Sequence, residues 1–459
     1  MKKLTLIILI ICFTFSFLAC EPQTETPEEM VVSISDSYVG LAFGNTTLSG
    51  KENSLMTSYT IKLKAENSTQ SEIIQDATWQ SSDQQIVTVS NGTLTPISEG
   101  QTTVSATYKD KTYTCIVTVG TAISCKEDLT KLSLASYKSE TRDLLSKNYV
   151  LVSDIDYTDS VIYPIAGVSL DGKITPHKYN GEYRVYTDSL QWKKLLESTY
   201  NDFDWESFSR NGINPTGVAF SGIIEGNGYS IKNASLMGDN CITNAWDRFG
   251  GAFANVIGRL TGTVRNIGFL DLAYQEIRND SCGYHMVDEY SQFTFSNGLK
   301  FGDPAYKPGA TPMSVAHMQT FSGIVYENKG VIENVYAKIW RPEITFLGSA
   351  YGAIGGVSVL NYGQIKNVVL VHPMTPGRMH SILCGSLVES GSVENCFALI
   401  GTVEEGNRSL IYQVADDSEK LSTCKIFTSD ITMYESEDLK RLDQKVWLIQ
   451  SRSIGLNKK

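Results

Sequence analysis

The chain has 459 residues, 42% of them hydrophobic, and 39 basic against 50 acidic side chains give a formal net charge of -11. That length and apolar content are enough for more than one core and point to two domains. The acidic balance, with no basic run anywhere, argues against a nucleic-acid partner, whose phosphates are met by Lys and Arg.

Residues 1–20 have the layout of an export signal: Lys2 and Lys3, then the apolar run Leu4 to Leu18. The run is short for a membrane span, which needs ~20 apolar residues. It ends in Phe17-Leu18-Ala19-Cys20, which resembles a bacterial lipoprotein cleavage site, with lipidation expected on Cys20. Cleavage there removes two lysines and takes the charge to about -13. Residues 21–30 are acidic and proline-bearing (EPQTETPEE), so they act as a flexible tether. An acidic stretch behind a lipidated Cys resembles the surface-export signal of some Gram-negative lipoproteins. Together these features predict an outer-membrane lipoprotein, exposed at the cell surface and held by its acyl chains.

Residues 31–120 run in short alternating stretches rich in Thr, Val, Ile and Ser, the pattern of a β-sandwich. Asn91-Gly92 supplies the positive φ angles of a tight hairpin, and Trp79 is expected to plug the core between sheets. From Ala77 to Val119, the features Trp79 before Ser-Ser-Asp, Val87-x-Val89, Asn91-Gly92, Gly100, and alternating Val104, Ala106 and Tyr108 resemble the group 2 bacterial immunoglobulin-like domain. The resemblance implies a spacer or adhesion module.

Residues 121–459 carry a recurring hexapeptide: GTVRNI at 262–267, GVIENV at 330–335, GQIKNV at 363–368 and GSVENC at 391–396. Its asparagines, with the one in GYSIKN, are Asn233, Asn266, Asn334, Asn367 and Asn395, separated by 33, 68, 33 and 28 residues. Reading 68 as two periods gives a repeat near 34, with one copy hidden near residue 300, and a fixed period of this size marks a solenoid. Alternation and β-branched residues make the unit a strand. Stacked turns lie ~4.8 Å apart, so the asparagines are expected to form a structural ladder. The glycine ahead is expected to supply an unusual backbone conformation. The fold class predicted is therefore all-β, an immunoglobulin-like sandwich followed by a parallel β-helix with short helical caps. The caps are expected from Ser124 and Glu127 through Leu132, and from Ser436 with Glu437 and Asp438, each covering an open end.

The stretches 148–159 (NYVLVSDIDYTD), 164–167, 220–233, 251–269 and 321–337 are similar to the GLUG-repeat proteins of bacterial surfaces. That resemblance implies a right-handed extracellular β-helix. Long segments at 171–215 and 274–320 depart from the pattern.

Catalytic and cofactor motifs fail on context. GVSLDGKI at 167–174 has Ile174 where a P-loop needs a hydroxyl. Asp154, Asp156 and Asp159 lack the calcium-loop glycine and glutamate and suit turn capping. The seven cysteines at 115, 125, 241, 282, 384, 396 and 424 show no metal spacing and read mostly as apolar fillers. No cofactor or metal is expected, and no catalytic constellation is visible. Two and four residues past the repeat asparagines, no carboxylates or bases line up. Aromatic and polar groups cluster at Tyr284, His285, Tyr290, Trp340 and Arg341, which suit a glycan-binding surface or the packing of a long loop. The function predicted is adhesion or glycan binding at the cell surface, with a glycan or host surface molecule as partner. Two alternatives stand beside it: a β-helix lyase or hydrolase using Asp202, Asp204 and Glu206, and a structural part of a surface assembly.

Overall fold

Val104 and Ala106 are fully buried between more exposed neighbours, and Cys115 and Val117 flank the more exposed Ile116, so each run lays alternate side chains into one core. In the computed structural model they form the antiparallel pair Gly100–Tyr108 and Lys111–Ile123. Lys109 and Asp110 turn between them with positive φ, the conformation a two-residue hairpin requires. The structure describes residues 29–135, 139–158, 161–162, 164–166, 177–179, 182–184, 219–236, 242–243, 250–274, 318–340, 356–372, 381–387, 390–400, 409–411, 419–428, 430–450 and 453–459.

The first domain is a set of strands, antiparallel except for the pair Tyr38–Thr47 and Lys111–Ile123, around Leu41, Leu63, Val87, Leu94, Val104, Cys115 and Val117. Asn91 (φ 48°) and Gly92 (φ 78°) turn the hairpin Val87–Ser90 to Thr93–Pro96, as expected. Trp79 differs from expectation. It lies at the core's margin, partly exposed, because its strand, Thr78–Ser81, pairs only one neighbour in its sheet, Gly100–Tyr108.

Lys111–Ile123 does not stop at the domain's edge. Its middle pairs in parallel with Tyr38–Thr47, and its last residues, Thr121 to Ile123, pair in parallel with Tyr149–Leu151. The boundary expected after residue 120 thus falls inside a strand. At the changeover stands Gly120, where a Cβ would lie 2.4 Å from the Asn148 carbonyl oxygen.

From Tyr149 onward the two large sheets are built of parallel partners, and the antiparallel pairs are short: His177–Tyr179 with Glu182–Arg184, Ile242–Thr243 with the start of Gly250–Leu260, and Trp447–Gln450 with Ser453–Leu456. In one sheet the order runs Tyr149–Leu151, Ile223–Glu225, Thr263–Tyr274, Val331–Trp340, Gln364–His372, Phe397–Ile400, Lys425–Phe427. In a second sheet Gly250–Leu260, Met318–Asn328, Ser358–Asn361, Ser381–Leu387 and Ser409–Ile411 follow one another, also in parallel. The chain alternates between the sheets, and their apolar faces share one core from Ile123 to Leu421. Thr263–Tyr274 pairs directly with Val331–Trp340, and Gly250–Leu260 with Met318–Asn328. No repeat near residue 300 intervenes between these paired strands, so the spacing of 68 is a single step lengthened by an insertion.

The hexapeptide owes its form to a bend. Asn266, Asn334, Asn367 and Asn395 all have φ near 50°, a left-handed conformation that Asn tolerates better than most residues. Val264 and Ile267 are both buried across the bend, as are Ile332 and Val335. The bend replaces strict alternation by a step of three, which is why the apolar residues flank x-Asn. The glycine has a different task from the one expected. Gly262, Gly330, Gly363 and Gly391 are not among the positive-φ residues. A Cβ at Gly330 would meet the Gly262 carbonyl oxygen at 1.9 Å, and one at Gly363 the Gly330 oxygen at 2.2 Å.

The helix Lys126–Leu134 begins one residue later than expected, on Cys125, and Asp128 rather than Glu127 reaches back to the Cys125 N–H at 3.3 Å. Leu129 and Leu132 enter the core of the parallel sheets. Ser436 accepts from the Asp438 N–H and starts the short 3-10 helix Glu437–Arg441. Its segment does not simply cover an end. Met433, Leu439, Leu442 and Trp447 pack with Val369, Phe397 and Phe427 on the outer side of the parallel sheet. Tyr336, Val369 and Phe397 are in register there, forming an apolar row that needs a cover.

Candidate functional site

The residue just ahead of each repeat asparagine points away from the core. Ahead of the four hexapeptide asparagines these are Arg265, Glu333, Lys366 and Glu394, and they stand in register with one another and with Glu225 of the neighbouring strand, a row of alternating sign. Its first members are covered by the N-terminal domain and are nearly without exposure: 1% for Glu225, 5% for Arg265 and 6% for Glu333.

Buried charge persists only where it is paired and hydrogen-bonded, and here the pairing crosses from one domain to the other. Arg265 Nε donates to Glu225 Oε2 at 2.7 Å, and its Nη2 donates to Thr118 Oγ1 at 2.7 Å and to Gln101 Oε1 at 2.9 Å. The guanidinium also lies 4.8 Å from the centre of the Tyr38 ring, a stacked cation–π arrangement. The Tyr38 hydroxyl donates to Glu333 Oε1 at 3.0 Å, and Lys366 pairs with the same oxygen at 3.1 Å. Burial, reinforced by Glu333, raises the Tyr38 phenol well above its usual range, so it stays a donor. Beside this cluster Asn227 clasps Gly40: the Gly40 N–H donates to Asn227 Oδ1 at 2.7 Å, and Asn227 Nδ2 donates to the Gly40 carbonyl at 3.0 Å. Gly40 has no room for a side chain, since a Cβ would sit 2.7 Å from Glu225 Cγ.

A second clasp comes from the C-terminal segment. Ser37 Oγ donates to Asp443 Oδ2 at 2.5 Å, and Lys459 Nζ pairs with buried Asp36. The Lys459 N–H donates to the Asn227 carbonyl at 3.0 Å and Tyr229 Oη donates to the Lys459 carbonyl at 2.8 Å. The first domain is therefore fixed to the parallel sheets by a shared strand, a buried charge row and a returning tail.

The asparagines form a hydrogen-bonded ladder. Asn334 Nδ2 donates to Asn266 Oδ1 at 2.9 Å, Asn367 to Asn334 at 3.1 Å, and Asn395 to Asn367 at 3.3 Å. At its head Asn266 Nδ2 donates to Glu225 Oε1 at 2.8 Å, which couples the ladder to the charge row.

Asn233 does not belong to this ladder. Because Lys232 pairs with Leu270, Asn233 stands beside Asp271, one corner further along, and both have positive φ. Its Nδ2 donates to Asp156 Oδ1 at 3.0 Å. The displacement arises because the turn Gly226-Asn227-Gly228 inserts extra residues between Glu225 and Ser230. Asp156 also accepts from the Thr158 N–H at 2.9 Å, a turn-capping arrangement. A second asparagine pair is one the repeat pattern does not single out: Asn328 Nδ2 donates to Asn361 Oδ1 at 2.7 Å, while each accepts from the N–H of the repeat glycine two residues on. Its signal in the sequence is Asn-x-Gly ahead of two hexapeptides.

Trp340 ends the strand Val331–Trp340. Cys20, Tyr284, His285, Tyr290, Arg341, Asp159, Asp202, Asp204, Glu206 and the segment 167–174 lie outside the described residues. Among the described residues no three His, Cys, Asp or Glu side chains are grouped to hold a metal ion, and no helix is long and apolar enough to cross a membrane.

Residues 42–119 match the bacterial Ig-like domain (group 2). No curated protein matches the chain. The Ig-like domain supplies Gly100–Tyr108 and Lys111–Ile123, and so contributes Gln101 and Thr118 to the Arg265 cluster. Tyr38 and Gly40 lie just ahead of the matched residues, on the strand that the Ig-like domain shares with them.

Proposed function

We propose that this is a lipid-anchored bacterial cell-surface protein in which the parallel strands wind as a β-helix of the GLUG type. Loops on that scaffold serve adhesion or glycan binding without catalysis. The winding is supported by strands that alternate between two sheets and stack in parallel, in register, with asparagines bonded from one level to the next. Anchorage is supported by the sequence ending at Cys20 and by the acidic tether behind it.

The observation that carries the non-catalytic reading is the fate of the charge row. Glycan-cleaving β-helices need acids and bases in reach of a sugar, whereas Glu225, Arg265 and Glu333 are spent on one another and on Tyr38, Thr118 and Gln101. Rigid attachment of the Ig-like domain suits a spacer that holds the binding loops at a set orientation.

A glycan array probed with the soluble chain from Met30 tests this. The expected result is saturable binding without product release, weakened by Trp340→Ala. Cleavage of a polysaccharide, lost in Asp204→Asn, would replace the proposal by the enzyme reading. Anchorage is tested by Cys20→Ser, which is expected to move the protein from the membrane fraction to the soluble one.

A further inference from the structure

Two thiols meet where the parallel sheet adds its last described strand. Phe397 pairs with Lys425, and the Lys425 N–H donates to the Cys396 carbonyl at 3.0 Å, so Cys396 and Cys424 face each other one step ahead of that pair. Paired strands are spaced ~4.8 Å apart, inside the range of ~4.4–6.8 Å between the Cα atoms of a disulfide. Both side chains join the same apolar core, Cys396 with no exposure and Cys424 partly exposed. Cys424 precedes the strand Lys425–Phe427 and follows the turn at Leu421, so its backbone is not locked into a ladder on both sides.

We propose that Cys396 and Cys424 are an oxidisable pair that closes to a disulfide with a small disulfide oxidant such as oxidised glutathione, stapling the last two strands of the sheet. The exposed member is the one suited to start. A hydrogen bond from Cys396 lowers the Cys424 thiol to about 7, against burial, with help from Thr423 and Arg441. Near neutral pH a large fraction is thiolate, the reactive form. Burial raises the Cys396 thiol well above its ordinary value, so it stays protonated until attack. The Cys424 thiolate attacks one sulfur of the oxidant, forming a mixed disulfide and expelling one glutathione thiolate. Cys396 then attacks the Cys424 sulfur, the second glutathione leaves, and the Cys396 proton passes to it. Two protein thiols are oxidised and one oxidised glutathione is reduced to two thiols. The resulting link closes a loop from 396 to 424 that crosses both sheets, and such a link stabilises by restricting the unfolded chain.

The test is peptide mapping of the whole chain after incubation with oxidised glutathione and alkylation of the remaining thiols. A cross-linked peptide joining Cys396 to Cys424 is expected, absent from Cys424→Ser, together with an upward shift in thermal midpoint that a reductant reverses. Alkylation of both cysteines after oxidation, a stable glutathione adduct on Cys424, or linkage of either to Cys384 would overturn the proposal. The mapping is done on the natural sequence, so its result does not depend on whether the serine variant folds.

Discussion

The Ig-like domain and the parallel sheets solve the same problem, strand register, over different lengths of chain. In the Ig-like domain partners such as Val87–Ser90 and Thr93–Pro96 are joined by two residues, and the turn itself sets the pairing. In the parallel sheets Val335 pairs with Ile267 on one side and Val368 on the other, across 68 and 33 residues, so no turn can set the register. There it is held by side chains and by glycines: asparagines bonded level to level, opposite charges facing each other, and glycines that allow adjacent backbones to touch. Local geometry governs the first region and stacking governs the second.

The sharpest way to break the second without touching the first is Gly330→Val. Its Cβ would lie 1.9 Å from the Gly262 carbonyl oxygen, which belongs to backbone and cannot swing away. A loss of more than ~4 kcal/mol is expected, read as a fall in the denaturant midpoint. Arg265→Met comes next. It leaves Glu225 buried without its cation, which costs about 3–5 kcal/mol, and adding Glu225→Gln is expected to recover part of the loss. The loss is read as a lower thermal midpoint in calorimetry, which the added Glu225→Gln raises again.

Asn334 separates conformation from stacking. Asn334→Ala loses the bonds to Asn266 and Asn367 and meets the left-handed φ of 52°, for a combined loss of about 2–4 kcal/mol. Asn334→Gly keeps the backbone at ease and is expected to lose roughly 1 kcal/mol less. Asn91→Ala, in the hairpin of the Ig-like domain, sacrifices conformation alone and is expected to fall near ~1–2 kcal/mol. Equal losses at Asn334 for alanine and glycine would mean that stacking alone holds the register.

The smallest effect is acid. The hydrogen bond from Thr158, then that from Asn233, holds the exposed Asp156 carboxyl at about 2, below its ordinary 3.8. A depressed carboxyl stabilises above its unfolded value, so this contribution is complete above about pH 4 and is lost as pH falls toward about 2. A carbon-detected titration is expected to place its midpoint near 2, and Asp156→Asn is expected to flatten the stability slope between about pH 4 and 2.

Much of this was legible in the residues. The hexapeptide announced its strands and the ladder asparagines because the left-handed bend leaves a fixed imprint, an apolar pair three apart with Asn between. Asn233 carried the same imprint but serves another corner, because a bend of one kind recurs within a single level and spacing alone does not tell corners apart. The interval of 68 reads as two periods for a related reason: one level with an insertion has the same length as two. The charge row stood in plain view as Arg, Glu, Lys and Glu ahead of the four asparagines. It passes unnoticed until strands are laid side by side, since its members interact only across them. The clasp by Asp443 and Lys459 had no signal, being a contact between chain ends set by packing.

The strand Lys111–Ile123 has a mechanical consequence. Tyr38 to Ala42 lie parallel to Ile116 to Gly120, and the same strand carries on into Thr121 to Ile123 beside Tyr149. Tension drawn between the beginning of the Ig-like domain and the far sheets pulls those two strands past each other lengthwise. Their bonds must then yield together instead of peeling singly, so the junction resists a pull applied from its N-terminal side.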